Sequence, residues 1–310
     1  MAAHDQITRG VLSSLLESLL MVVISILVKN LYSDDFGNVS VILVLFARYG
    51  GSLPLLLTFA FVQRGRHAFA VVQKKTLLLR IVVGLISLSC FYAAMQTLLI
   101  SKVTTLFLMA PVVVVACAPL FLGEKVTRLH WLATGFAYLG VLILLRPDTS
   151  GWLSLGVVFG LASPLFGAGM FILVRKLGDH DAPITTALWY NMIGALVFAG
   201  LVVVGLRTGY VQWPESPRVI AAMIMLGMLC SGQQFLLAFS HSVAAASFLA
   251  IFRYVGVPLT MLADVVLFGA SLSGSFILGC ALIVMSASFI TLTSRQKKHP
   301  IENERPLTQV

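Results

Sequence analysis

Long apolar runs, each closed by a small group of Gly, Pro or charged residues, recur along the chain from Val11 to Ile290. A run of about 18 residues or more crosses a hydrocarbon core roughly 30 Å thick at about 1.5 Å per residue. The punctuation predicts spans near 10–31, 38–62, 75–98, 102–122, 127–145, 152–174, 183–206, 218–240, 243–268 and 273–293. These runs are continuously apolar, unlike the alternating strands of about ten residues found in outer-membrane barrels, so helices are expected. The predicted class is all-α integral membrane with ten transmembrane helices, followed by a polar, disordered cytoplasmic tail over 294–310. The first run, Val11 to about Leu31, is too long for a signal-peptide core and has no small-residue cleavage site after it, so it is expected to stay as the first span.

The spans repeat. Pro111 to Leu145 aligns with Val257 to Thr291 at an offset of 146, setting Phe121-Leu122-Gly123 against Leu267-Phe268-Gly269 and Pro111 within one residue of Pro258. Upstream, Val28-Lys29-Asn30-Leu31 matches Val174-Arg175-Lys176-Leu177, and Arg48-Tyr49 stands opposite Tyr190-Asn191. The halves are then 1–147 and 148–293, each with five helices. An odd number turns the second copy upside down in the membrane, and such inverted repeats build secondary transporters with substrate bound between the halves.

Composition sharpens the class: 59% of residues are hydrophobic and 11% charged, with a mean hydropathy of +0.98. An ordinary soluble domain, at about 25% charged, is excluded. The net charge of +9 is a matter of placement. With a cytoplasmic N-terminus, the cytoplasmic segments hold Arg9; Arg64, Arg66, Lys74, Lys75 and Arg80; Lys125 and Arg128; Arg175 and Lys176; and Arg295, Lys297, Lys298 and Arg305. The opposite loops hold only Lys29, Lys102, Arg146, Arg207 and Arg218, while Arg48 and Arg253 lie within spans. Fourteen against five predicts both termini in the cytoplasm of a bacterial inner membrane, with no nucleic-acid partner needed. Cys90, Cys117, Cys230 and Cys280 sit inside apolar runs as small hydrophobes, without metal or redox spacing, so no metal or cofactor is expected.

Lys29 at the end of span one, Phe46-Ala47-Arg48-Tyr49 in span two, and Leu108-Met109-Ala110-Pro111 running into Leu120-Phe121-Leu122-Gly123-Glu124-Lys125 carry a resemblance. With Gly135 to Arg146 they resemble the EamA-like branch of the drug/metabolite transporter superfamily, from about Leu12 to Thr293. The second half departs from that pattern, reading Gly269-Ala270 where the family has a Gly-Glu pair. The resemblance implies ten helices with cytoplasmic termini and spans one to four and six to nine around a central cavity. It also implies transport of small metabolites, mostly outward, among them amino acids and their derivatives, nucleotide-like cofactors and organic cations.

Only Glu17 and Asp264 are acidic residues inside spans, and a charge in hydrocarbon costs several kcal/mol unless it faces a cavity or a partner. On span one, Ser14, Glu17, Ser18, Met21, Ser25 and Lys29 form one polar stripe that should line the cavity. Glu17 reads as a proton carrier or a ligand for a cationic group, with structural pairing to Arg48 as the alternative. On span nine, Arg253 and Asp264 share a face about 16 Å apart along the axis, around Pro258. Arg253 is expected to anchor a substrate carboxylate or phosphate, or else to neutralise Glu17; Asp264 is a gate or pore-mouth charge.

Tyr254, Tyr92 with Gln96 on span three, and Gln234 with His241 on span eight complete the predicted substrate site, and Pro111 and Pro258 the gating elements. Arg48 reads as architectural, and Trp189 and Tyr190 as interfacial anchors. The expected function is a secondary transporter of a small polar metabolite, an amino acid or amino-acid-derived compound, working mainly in export. Alternatives are a drug or organic-cation:proton antiporter and a carrier for the uptake of an S-adenosylmethionine-like cofactor. An intramembrane enzyme is the rival class, but no HExxH, GxSxG, P-loop or paired aspartates occur. The expected partners are the small-molecule substrate and the lipid bilayer, with homodimerisation allowed.

Overall fold

The computed structural model describes residues 2–33, 36–98, 100–123, 126–145 and 155–252, with scattered positions between 254 and 286. Among the described residues the regular elements are all helical. They run α1 (Ala2–Leu31), α2 (Val41–Gly50), α3 (Leu53–Arg64), a 3-10 turn (Gly65–Phe69), α4 (Lys74–Thr97), α5 (Ile100–Phe107), α6 (Met109–Leu122), α7 (Arg128–Leu145), α8 (Leu155–Gly178), α9 (Pro183–Arg207), α10 (Pro217–Val243) and α11 (Ala246–Phe252). Among the described residues six stretches are long and apolar enough to cross a bilayer: Thr8–Leu31, Val41–Phe69, Lys74–Thr97, Leu155–Gly178, Pro183–Arg207 and Pro217–Val243. They match expected spans one, two, three, six, seven and eight. The fourth and fifth coincide with α5–α6 and α7, while most of the ninth and tenth and the tail from 294 lie outside the described residues.

Local sequence explains the helix ends. Leu43 N donates to Ser40 Oγ at 3.4 Å and starts α2, and Pro183 and Pro217 open α9 and α10, where a missing N–H costs nothing. The second span is not the continuous helix expected from its hydropathy. It breaks between α2 and α3 at Gly51-Ser52, just before Pro54, and Ser52 Oγ lies 2.7 Å from Tyr49 O. A β-carbon at Gly227 of α10 would stand 2.5 Å from Gly51 Cα, so two backbones meet there and only glycine fits. The fourth expected span is likewise divided at Leu108. Pro111 lies in the first turn of α6, where it interrupts little.

Side chains are distributed as in a bundle solvated by lipid. Leu12, Leu16, Leu19 and Val23 of α1 face outward, whereas Ser14, Glu17, Ser18 and Ser25 of the same helix are buried. The largest apolar cluster draws on α1, α2, α4, α9 and α10. Two helix pairs pack most extensively, α4 with α8 and α1 with α10. On the first seam Ser87 Oγ donates to Ser163 O at 2.9 Å and Ser163 Oγ to Ser87 O at 3.0 Å, beside Gly167, whose β-carbon would meet Phe107 at 2.9 Å. On the second, Glu17 faces Gln233. Residue 163 is 17 shifted by 146, and 233 is 87 shifted by 146, so the offset read from the sequence relates the two seams.

Candidate functional site

The polar stripe of α1 delivers Glu17 into the α1–α10 seam near mid-span. There Gln233 Nε2 donates to Glu17 Oε1 at 2.8 Å, while Gln233 Oε1 accepts from Arg48 Nη2 at 3.0 Å. An amide suits this place because it carries both a donor and an acceptor, so it joins a carboxylate to a guanidinium that do not otherwise meet in this chain of bonds. Arg48 Nη1 also donates to Tyr92 OH at 2.7 Å and lies 3.2 Å from Cys230 Sγ. Arg48 is thus a fully buried hub linking α2, α4 and α10.

Another guanidinium is buried among the described residues. Arg80 of α4 is completely buried, its Cζ 4.0 Å from the centroid of the Tyr190 ring and its Nη2 3.4 Å from Gln234 Oε1. Gly84, one turn along α4, makes room for that ring, since a β-carbon there would come within 2.9 Å of Tyr190 Cε2. The Tyr190 and Tyr49 hydroxyls are 3.0 Å apart, and the Tyr49 ring stacks on Phe198 at 5.5 Å and presses against Gly194. Ser52 Oγ is 2.9 Å from Asn191 Oδ1, and Asn191 Nδ2 donates to Ala187 O. Through neighbours Gln233 and Gln234, the two arginines and Glu17 form one polar layer across α1, α2, α4, α9 and α10. Such a layer presents charged donors that could hold an anionic group.

Of the predicted site residues, Glu17, Tyr92 and Gln234 come together in this layer. His241 is buried nearer the end of α10, its Nδ1 3.0 Å from Leu237 O and its ring stacked on Phe171 at 5.7 Å. Tyr254 is buried as well. Gln96 is exposed near the C-terminal end of α4 and stands apart from the layer. Arg253, Pro258 and Asp264 lie outside the described residues.

Arg80 does not belong with the loop cations, which leaves thirteen basic residues against five. Tyr190 is no interfacial anchor but a buried platform; its neighbour Trp189 is half-buried and donates to Phe69 O. The pairing considered for Glu17 and Arg48 runs through Gln233. Sequence reasoning missed Arg80, Gln233 and Tyr49. The available signal was depth, since Arg80 lies six residues, about 9 Å, inside α4.

Residues 8–146 match the model of the EamA-like transporter family. That first half is EamA-like. The riboflavin transporter of Vibrio cholerae is 26% identical over 87% of this chain and 89% of that protein, and that of Rhizobium johnstonii 28% over 69% and 68%. The pseudopaline exporter of Pseudomonas aeruginosa is 27% identical over 82% and 85%. A protein of known crystal structure shares the fold with a TM-score of 0.76 and 14% identity, over 94% of this chain and 99% of that one. Family and relatives are transporters rather than enzymes.

Proposed function

We propose that this chain is a secondary transporter that carries a small polar metabolite with an anionic group, an amino acid or amino-acid-derived compound, outward across a bacterial inner membrane by alternating access. The observation that carries the reading is the buried layer, in which the described residues supply two guanidinium groups and one carboxylate. A substrate anion would balance that excess and repay part of the several kcal/mol that each buried ion costs. Export finds support in the pseudopaline exporter among the relatives.

The architecture within this proposal is ten helices in two inverted five-helix repeats, 1–147 and 148–293, with both termini cytoplasmic. The 146-residue relation between the seams supports it. So does a second pair of contacts: Lys29 Nζ donates to Met95 O at 3.1 Å at the C-terminal end of α4, and Arg175 Nη1 to His241 O at 3.3 Å at that of α10. Both partners in one contact are shifted by 146 in the other. A central hinge between two such halves is what alternating access requires.

A second reading, a neutral flavin as substrate, draws on the two relatives named riboflavin transporters and on the Tyr49, Tyr190 and Phe198 rings. Uptake by the purified protein in liposomes, screened over amino acids, amino-acid-derived chelators, nucleotide cofactors, riboflavin and quaternary amines, separates the readings. Carboxylate-bearing compounds are expected to be transported and simple quaternary amines not; transport restricted to the amines would overturn the proposal, and transport restricted to riboflavin would select the second reading.

A further inference from the structure

The two buried arginines are not equally occupied. Arg48 uses both terminal nitrogens on Tyr92, Cys230 and Gln233, at 2.7 to 3.2 Å. Arg80 makes one long hydrogen bond, 3.4 Å to Gln234, and rests on the Tyr190 ring. Its Nε and Nη1 are buried with no hydrogen-bond partner among the described residues. A charge held in this way is costly, because desolvation penalises it and only a cation–π contact and one weak bond offset the loss. An apolar side chain of similar volume would pack there at less cost.

We infer that Arg80 grips the anionic group of the substrate, a carboxylate or phosphate, with its unpartnered N–H groups. The inference rests on the proposed anionic substrate and names the residue that reads it. Nε–H and Nη1–H lie on different edges of the guanidinium, each edge shared with one of the two Nη2 N–H groups; Gln234 takes one of these, so the other completes an edge that takes two oxygens side by side. The Tyr190 ring covers the face of the guanidinium and Gln234 engages Nη2, so the free edge is pre-oriented rather than left to turn. Tyr190 can lie there only because position 84 is glycine, and its hydroxyl is tied to Tyr49 across the α2–α9 contact. Complete burial means that this conformation is closed over Arg80. The anion reaches it when α9 or α10 moves relative to α4, the motion alternating access supplies. Arg48, held by three partners, is the positioning residue that keeps α2, α4 and α10 in register.

The test uses two matched pairs of probes, an L-amino acid with its carboxamide and riboflavin 5′-phosphate with riboflavin, measured by equilibrium binding to the full chain in lipid nanodiscs. Wild type is expected to bind the anionic member at least about tenfold tighter in one pair, the scale of one charge-assisted hydrogen bond. The pair that shows the preference identifies the group as carboxylate or phosphate. Arg80→Met should erase that preference while leaving the thermal unfolding midpoint equal or higher, whereas Arg48→Met should lower the midpoint. Arg80→Lys, which keeps charge but loses the fork, should retain only part of the preference. A wild-type preference that survives Arg80→Met would overturn the role of Arg80 and leave the anionic-substrate reading standing. No preference in wild type would overturn both. A midpoint that falls as far in Arg80→Met as in Arg48→Met would make Arg80 a structural cation.

Discussion

The α4–α8 and α1–α10 seams are related residue by residue through the 146-residue offset, and they differ in what fills the crossing. Where α4 and α8 meet, Ser87 and Ser163 exchange hydroxyl-to-carbonyl bonds and Gly156 admits Thr97, while Gly160 and Gly167 of α8 admit Leu106 and Phe107 of α5. At the positions shifted by 146, α1 and α10 instead hold Glu17 and Gln233, with Met21 in the place of Gly167. Small residues suffice to make this crossing, so the charge on the α1–α10 side is not required for packing. On the proposed function it is a cost carried for transport. On the same proposal, one seam is scaffold and the other is the working surface.

The largest effect that would break the comparison comes from filling the scaffold seam. Gly167→Leu drives a side chain into Phe107 and Ser87, and should cost about 3 kcal/mol or more, read as a loss of folded protein and a lowered unfolding midpoint. Next comes a tie outside both seams: Asp181 accepts from Val72 N at 2.7 Å and Gln73 N at 3.1 Å, fastening the loop before α4 to the loop before α9. Asp181→Ala should cost about 2 kcal/mol, the scale of hydrogen bonds to a charge, measurable as faster proteolysis of the 65–73 segment.

The related cations at the helix C-termini should be worth less. Lys29→Met and Arg175→Met are each expected to lose about 0.5 to 1 kcal/mol in unfolding experiments, and to add when combined because the sites are separate. Ser163→Ala should be smallest, about 0.6 kcal/mol, with transport unchanged. A transport defect there would blur the division between scaffold and working seam.

Much of this was legible in the chain because a bilayer forces long apolar runs and makes every interior charge conspicuous. The stripe on α1 showed which face is buried, whereas the sequence did not show that α4 packs on α8 and α1 on α10. Arg80 escaped because Lys74, Lys75 and Arg80 read as one anchoring cluster, although two helical turns separate the last from the helix start. Tyr190 escaped for the converse reason, that an aromatic near a span end usually sits at the interface, while here Gly84 opens a slot that draws it inward. The partnering of Gln233 rather than Gln234 with Glu17 depends on helix rotation, which composition does not encode. The break at Gly51-Ser52 had a signal in the glycine pair and Pro54, but its cause is the backbone of α10 at Gly227, far away in sequence.

The central claim is that the charged seam carries transport and its serine counterpart only packs. Glu17→Gln keeps shape and the hydrogen bond to Gln233 Nε2 but removes the carboxylate charge, so it tests the claim with least disturbance. The measurement is uptake into liposomes of the substrate identified by the screen, driven by an imposed pH gradient and followed in wild type, Glu17→Gln and Ser163→Ala. The account predicts that Glu17→Gln folds normally and loses gradient-driven uptake while Ser163→Ala retains it. Wild-type pH dependence in Glu17→Gln would contradict it.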